Sequence, residues 1–414
     1  MLFTPFFVIK ERRGAWGRTF TAFQEDKMKR LKLKWVSWGI ALALVAGTAA
    51  SGICQDQVRE IIRIPDILGY KALKCDFHIH TVFSDGNVWP TVRPMEAWMN
   101  GLDALSITDH IEYLPHKDDL KIDFNRSFEI AQSSADGLRL TLIRGAEITR
   151  DMPPGHINAI FTTDNNALDT KEWRDAVKAA YDQGAFLFWN HPGWTGQQPD
   201  GIAKWYDEHT ELVEKGWIQG IEVVNSVEYY PEVHQWCLDK KLTMFGNSDV
   251  HDPILMDYNP ARGAHRPMTI VFAKDNSASA IKEALLDRRT VVYFQNWLIG
   301  EERFLDPIFA QSVEQDRTQL TLRGKGRSTI QLSNHAGLDF ELALDGEVPD
   351  LSLPESLVIP AGKAVMLTVR STTETVNETR TVELPYRVTN LKVRPNEGLP
   401  VRFKAEITFV AKKS

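Results

Sequence analysis

His78 and His80 stand two residues apart at the end of an apolar run, in Asp76-Phe77-His78-Ile79-His80-Thr81. On a strand that spacing puts both imidazoles on one face, within reach of a single metal ion. Ser84-Asp85-Gly86 follows within one loop, and His110 closes Ile107-Thr108-Asp109-His110. Glu147 lies in Gly145-Ala146-Glu147-Ile148 and His191 in Asn190-His191-Pro192-Gly193, while Asp249 and His251 share Gly246-Asn247-Ser248-Asp249-Val250-His251. Each segment alone has a bland reading. An isolated His-x-His packs or faces solvent more often than it binds metal, Asp109 can be a plain loop residue, and Asn-His-Pro is a common turn. Taken together they resist that reading, because burying so many imidazoles and carboxylates without a cation is costly.

The elements that must bring these residues together are short. Strand-like runs occur at Cys75–His80, Ala104–Ile107, Leu140–Ile148, Ile157–Phe161, Phe186–Trp189, Ile221–Val224, Thr243–Phe245 and Thr269–Phe272. Helical patterns lie between several of them, for example Lys171–Gln183 and Ser277–Leu286. Strand–helix alternation of this length predicts an α/β parallel sheet or barrel. In a barrel the carboxyl ends of the strands gather on one rim, where active sites are built. The ligand-type residues follow five such ends, so they are expected to converge. Beyond about Leu305 the pattern changes to short runs at Gln319–Leu322, Thr329–Ser333, Phe340–Leu344, Ala364–Val369, Arg380–Leu384 and Arg402–Val410, parted by Gly, Pro and Asn. No strong helix pattern appears there, and a small Ig-like β-sandwich over 305–414 is expected.

The order of motifs (His-x-His then Asp, Thr-Asp-His, Gly-x-Glu, His-Pro, and a late Ser-Asp-x-His) resembles the PHP (polymerase and histidinol phosphatase) superfamily of metal-dependent phosphoesterases over residues 74–297. The resemblance implies a distorted (β/α)7 barrel over 55–300, two or three divalent ions, and hydrolysis of phosphate esters by a metal-bridged hydroxide. His78, His80, Glu147 and Asp249 would hold one ion, and Glu147 would bridge to a second held by His156 and His191. Asp85, His110 and His251 would form a third position or serve as acid and phosphate-binding groups, with Asp249, His251, His110 and Asp85 as the catalytic set. Glu222 and Asn225 match a further family segment and would orient the imidazoles. Imidazole with carboxylate suits manganese, zinc or iron. Arg262, His265 and Arg266, in the loop after the last motif, are candidates for binding substrate oxygens, as are Trp194 and Tyr230 for an ester group. Aromatic and apolar residues after the ligands, including Tyr229, Ile254, Leu255, Met256 and Tyr258, suit a phosphodiester with a small alkyl or aryl substituent. The architecture is similar to exported PHP-type phosphodiesterases acting on organophosphate diesters. A phosphomonoesterase acting on nucleotides or sugar phosphates is the alternative, and an amidohydrolase-type deacylase a more distant one. A rival of another class is a non-catalytic envelope protein that binds metal and a partner.

Charge and composition bound the partners. The net charge is −7, yet residues 1–54 carry a surplus of six positive charges, leaving −13 on the rest. An acidic body argues against long nucleic acid as the main partner. From Met28 a basic stretch, an apolar run from Trp35 to Ala50, small residues and then Gln55-Asp56-Gln57 follow the layout of a secretory signal peptide. Residues 1–54 are therefore expected to be removed on export to the periplasm or beyond, with no stable membrane span left. The apolar run is shorter than the ~20 residues of a spanning helix. Cys75 and Cys237 would then remain, too few for a disulfide framework and suited to packing as small hydrophobes.

Overall fold

The computed structural model describes residues 58–259 and 263–412; the N-terminal segment with leader-like character and Arg262 lie outside the described residues. The barrel wall begins with Lys71–Asp76 (β1), Ala104–Ile107 (β2) and Thr141–Ile148 (β3), paired in parallel. Ile157–Ile160 (β4) runs antiparallel to β3 and to Phe186–Trp189 (β5). Gly220–Asn225 (β6) then pairs in parallel with β5. A two-residue strand, Glu228–Tyr229 (β7), turns back on β6, and Thr243–Asn247 (β8) completes the wall in parallel with β6. The reversal of β4 puts its amino end on the rim where its neighbours end. That is how His156, which precedes a strand, can meet residues that follow strands.

Closure is divided between two partners. The body of β1 pairs antiparallel with Met268–Ala273 (β9). Past Asp76 and Asn247, the ends of β1 and β8 run side by side instead. Asp249 N donates to His78 O at 2.9 Å, His80 N donates to Val250 O at 3.1 Å, and Ile79 bridges Val250 in parallel. Here the expected strand Cys75–His80 is corrected: the regular ladder stops at Asp76. Side chains take over its duties, since Phe77 N donates to Asn247 Oδ1, Ile79 N to Thr108 Oγ1 and Thr81 N to Asp109 Oδ1.

The barrel is filled by aromatic rings. Phe188 stacks on Phe245 with centroids 4.2 Å apart, and Phe77 meets Phe245 edge-on. Strands β5 and β8 are separated by β6, so this stacking takes place inside the barrel. Gly220 on β6 makes room for it, because a Cβ there would lie 2.5 Å from the Phe245 ring. The surrounding helices are short and one-sided. Trp173–Asp182 buries Ala176, Val177 and Ala180, and Ala278–Leu286 buries Ala280, Ile281, Ala284 and Leu285, each at the three-to-four spacing of a single face. Ser277 caps the latter by accepting from Ala280 N.

Thr290–Phe294 (β10) and Trp297–Gly300 (β11) extend the sheet from β9 as an antiparallel hairpin. No strong helix pattern is expected beyond about Leu305, yet Glu302–Ser312 is a helix that runs into that region, with Pro307 inside it. An internal proline is a strong sign against a helix, which is why the pattern reads poorly. Tertiary burial outweighs it: Phe304 packs on Phe272 of β9, while Phe309 meets Phe340 and Phe403 of the second domain. That domain is a sandwich built from Val313–Gln315 (β12), Gln319–Arg323 (β13), Arg327–Asn334 (β14), Phe340–Leu344 (β15), Leu351–Ser352 (β16), Ser356–Ile359 (β17), Ala364–Ser371 (β18), Glu378–Arg394 (β19) and Glu397–Val410 (β20). One sheet has the order β12-β14-β18-β16; the other contains β13, β20, β19, β15 and β17. The short runs expected at Arg380–Leu384 and Arg402–Val410 prove to be parts of one long hairpin. Strand β19 also pairs in parallel with β11, so the barrel-side sheet continues into the sandwich. Cys75 and Cys237 are buried free thiols, and no helix among the described residues is long and apolar enough to cross a membrane.

Candidate metal centre

The rim gathers three carboxylates and six imidazoles. His78 and His80, on the irregular extension of β1, direct Nε2 at the same two oxygens. Glu147 Oε2 lies 3.2 and 3.3 Å away, and Asp249 Oδ1 3.1 and 3.0 Å. Glu147 turns its other oxygen to His156 Nδ1 at 2.8 Å and His191 Nε2 at 3.6 Å. Asp85 Oδ1 stands 3.2 Å from His251 Nε2, 3.4 Å from His110 Nε2 and 3.9 Å from His80 Nδ1. Two ligands that each sit ~2.1 Å from one ion lie within about 4.2 Å of each other. All these separations meet that limit.

Two of the buried donor atoms, His80 Nε2 and Asp85 Oδ1, make no hydrogen bond although oppositely charged atoms surround them. Lone pairs that converge without a proton between them are what ligands of a common cation present. The donor set therefore fits divalent ions, with Glu147 and Asp249 placed to contact more than one. In four overlapping clusters the ligand atoms all lie within 4.8 Å of one another: His80/Asp85/His110/His251, His78/His191/Asp249, His78/His80/Glu147 and His110/Glu147/His156.

The surroundings set orientation and charge. Glu222 is buried and receives four donors. His78 Nδ1 and Asn247 Nδ2 approach Oε1 at 2.8 and 2.9 Å, and His191 N and Asn225 Nδ2 approach Oε2 at 2.8 and 2.9 Å. With Nδ1 donating to Glu222, His78 presents Nε2 to the centre. Asn225 reaches on to Asp249 Oδ2 at 3.3 Å, and Asn190 Nδ2 steadies Glu147 Oε1 at 2.9 Å. Burial works against the charged form of His78, but Asp249, Glu222 and Glu147 outweigh it and hold the imidazole well above its ordinary range. Burial likewise opposes charge on His110, yet Glu147 and Asp85 push it up to about 10. His80 goes the other way, down to about 3, through burial and the neighbouring His251 and His110. Burial would raise Glu147 and Asp249, but the surrounding imidazoles hold both carboxyls well below the usual range.

Above the ligands opens a cleft of about 690 Å³, with Tyr113 and Trp194 on its walls and Glu112, Asp151 and Gln197 at its margin. Tyr113 meets His110 edge-on, and Trp194 meets His191 in the same way. Burial raises Glu112 to about 7 even though Thr149 N and Arg150 bond it.

Three of the expected substrate contacts are corrected. Arg266 is 1% exposed, with its guanidinium on Asp76 Oδ2 at 3.0 Å and on Asn100 Oδ1 at 3.1 Å. It cannot reach the cleft because it serves as the counter-charge of a buried carboxylate. His265 places both ring nitrogens on main-chain carbonyls, stacks on Tyr293, and lines a separate cavity with Tyr258 and Asn296. Tyr230 is buried behind the His191 turn, its ring against Gly193 and its hydroxyl on Glu228. Trp194 does line the cleft.

Several contributors escaped the sequence reading. Asp109, the middle residue of Thr-Asp-His, is buried and accepts from Thr81 N, Thr81 Oγ1 and Ser84 Oγ, so it shapes the loop that carries Asp85. Asp76 pairs with Arg266 and accepts from Ser248 Oγ, and Arg93 is buried with its Nε on His80 O. The available signal was charge inside otherwise apolar segments, which cannot name a partner distant in sequence.

Fold and site together define a two-domain protein: an α/β barrel with a polynuclear metal-type donor set, joined to a β-sandwich. The crystal structure of a two-domain protein containing a predicted PHP-like metal-dependent phosphoesterase from Bacteroides vulgatus ATCC 8482 is similar along almost its whole length. It is 45% identical, with 84% of this chain and 99% of that chain covered and a TM-score of 0.80. The chain belongs to this family of PHP-like metal-dependent phosphoesterases. Residues 313–404 match a family described as an Ig-like domain. A protein described as a putative metal-dependent phosphoesterase from Bifidobacterium adolescentis ATCC 15703 aligns at 15% identity over 44% of this chain and 89% of its own, with a TM-score of 0.36. An amidohydrolase from Chromobacterium violaceum aligns at 16% identity over 43% and 88%, with a TM-score of 0.32. No curated protein matches the chain.

Proposed function

We propose that the protein is a phosphodiesterase whose substrate carries a small alkyl or aryl ester group. The observation that carries this reading is the cleft lining: two aromatic walls, Tyr113 and Trp194, and no lysine or arginine among the described lining residues. A phosphomonoester dianion gains from cationic side chains beyond the metals, whereas a diester monoanion needs a wall for its second substituent. Asp151 at the margin disfavours additional negative charge on the substrate.

In this reading His78, His80, Glu147 and Asp249 would hold one divalent ion, and Glu147 with His156 and His191 a second; Asp85, His110 and His251 would provide a third position or, with two ions, serve as acid and phosphate-binding groups. Manganese, zinc and iron all suit these donors. Bound there, divalent ions supply positive charge for the phosphoryl oxygens and acidify water at neutral pH. The chain's own groups do the rest. Glu222 and Asn225 keep His78 and Asp249 in register. Asp249 manages the proton of the attacking water. With two ions bound, His251, whose Nδ1 sits 2.8 Å from Asp249 O and whose side chain is one-third exposed at the cleft, delivers the leaving-group proton from Nε2. Trp194 and Tyr113 exclude water on either side of the substituent.

The test compares kcat/KM for an aryl phosphomonoester with that for its methyl and phenyl diesters at matched manganese. Diester preference that weakens in Trp194→Ala and Tyr113→Ala is expected. A monoester preference of about tenfold or more, ~1.4 kcal/mol in transition-state binding, that is unchanged in both variants would replace this reading with a phosphatase.

A further inference from the structure

We propose that Arg93 is a positioning residue of the metal centre: a buried guanidinium that clamps the two ligand-bearing chain segments through their main-chain carbonyls. This rests on the reading that the rim holds divalent ions. Arg93 lies in the first turn of helix Val92–Met99 and is 1% exposed. Its Nε donates to His80 O at 2.8 Å. Its Nη2 donates to Val250 O at 3.1 Å and His251 O at 2.7 Å. Its Nη1 donates to Asp252 O at 2.9 Å and to Glu96 Oε2 at 2.7 Å. A guanidinium has five N–H donors in a fixed plane, and all five are used. Four of the acceptors belong to residues 80 and 250–252, the stretches that flank or contain His80, Asp249 and His251.

Physical necessity explains the arrangement. The regular ladder of β8 ends at Asn247, and Asp249 adopts the left-handed φ of +53°, a strained conformation that neighbouring structure must impose. His80 O and Asp252 O take no donor other than Arg93 among the described bonds. Burying a guanidinium is costly unless each donor is satisfied and a counter-charge is near. Glu96 is that counter-charge, and its Oε1 accepts from Ile254 N at 2.9 Å, which ties the clamp to the segment after His251. Nothing in this set reaches substrate. Its product is the placement of His80, Asp249 and His251 relative to one another. His156 and His191 are held by β4 and β5, and Arg93 makes no contact there.

The clamp therefore has a selective signature. Losing it should loosen the positions that depend on His80, Asp249 and His251 and spare the one built from Glu147, His156 and His191. Protein stripped with chelator would be titrated with Mn²⁺ by calorimetry, with electron paramagnetic resonance to count bound ions, for the wild type, Arg93→Lys and Arg93→Met. Circular dichroism and melting of the stripped forms check folding; if Arg93→Met does not fold, Arg93→Lys, with three donors for four carbonyls, carries the test. The expected result is about 10–100-fold weaker binding in one class of site, the range for residues that orient ligands, with the other class within about threefold of wild type. Unchanged binding in the variants, or equal loss at every site, would overturn the clamp while leaving the metal reading intact. A wild type that binds no divalent ion would overturn both.

Discussion

Glu222→Gln keeps side-chain volume and removes a charge at a point where both carboxylate oxygens are saturated. His78 Nδ1 and Asn247 Nδ2 share one oxygen, and His191 N and Asn225 Nδ2 share the other. An amide must turn its NH₂ towards one of these pairs, so two buried donors lose their acceptor at about 1–3 kcal/mol each. His78 also loses one of the anions that raise its imidazole, so its orientation in the neutral, ligating form is less strongly selected. If about half of that cost falls on the ion-bound state, metal binding weakens by about 10–100-fold, or roughly 1.4–2.8 kcal/mol. Calorimetric titration of chelator-stripped protein with Mn²⁺ measures this directly, and melting of the stripped form reports the remainder. Manganese affinity within about twofold of wild type, in a folded variant, would refute the argument that Glu222 sets the position of His78; ligand-orienting residues typically move affinity by more.

Asp249→Asn removes a ligand charge shared between neighbouring positions and should lower kcat by at least about 100-fold; chelation should abolish hydrolysis and Mn²⁺ restore it, and full turnover by stripped protein would contradict both. For the metal-free protein the linkage has a definite sign. His78, His110 and His251 have raised folded values, so their stabilisation is complete below the ordinary histidine range and is lost as pH climbs through the folded values, about 10 for His110. The melting temperature of stripped protein should therefore fall from about pH 6.5 towards about 10, while metal-loaded protein, whose ions replace those protons, holds steadier and releases protons on loading. A flat stripped-protein profile would reject this. Export with cleavage near Gln55 is proposed from the basic, apolar and small-residue order after Met28; a mature protein starting at Met1 or Met28 on intact-mass measurement would exclude it.

What the sequence determined by itself follows from locality. The ligand-type residues occur in short contexts, and strand periodicity assigns those contexts to strand ends, so an α/β barrel with a rim of metal donors can be inferred from neighbouring residues alone. Phe186–Trp189 and Ala104–Ile107 form over their expected bounds to the residue, because short apolar runs between turn signals suit strands buried on both faces. The sandwich is legible for a similar reason: its strands alternate, as Gln319–Arg323 does with every second residue buried. Tertiary structure alone decided the rest. The end of β1 at Asp76 depends on acceptors supplied by residues 108, 109 and 247. The burial of Arg266 depends on Asp76, 190 positions away, so a basic loop residue that suggests substrate binding becomes an internal counter-ion. His265 and Tyr230 are turned from the cleft by Gln295 and Glu228. Helix Glu302–Ser312 forms despite Pro307 because the two domains need its apolar face between them. Arg93 reads as an ordinary helix-face residue until residues 80 and 250–252 close over it. Local periodicity can say which residues are buried or exposed, but the partner that makes a buried charge stable is a long-range fact, set only when the chain closes.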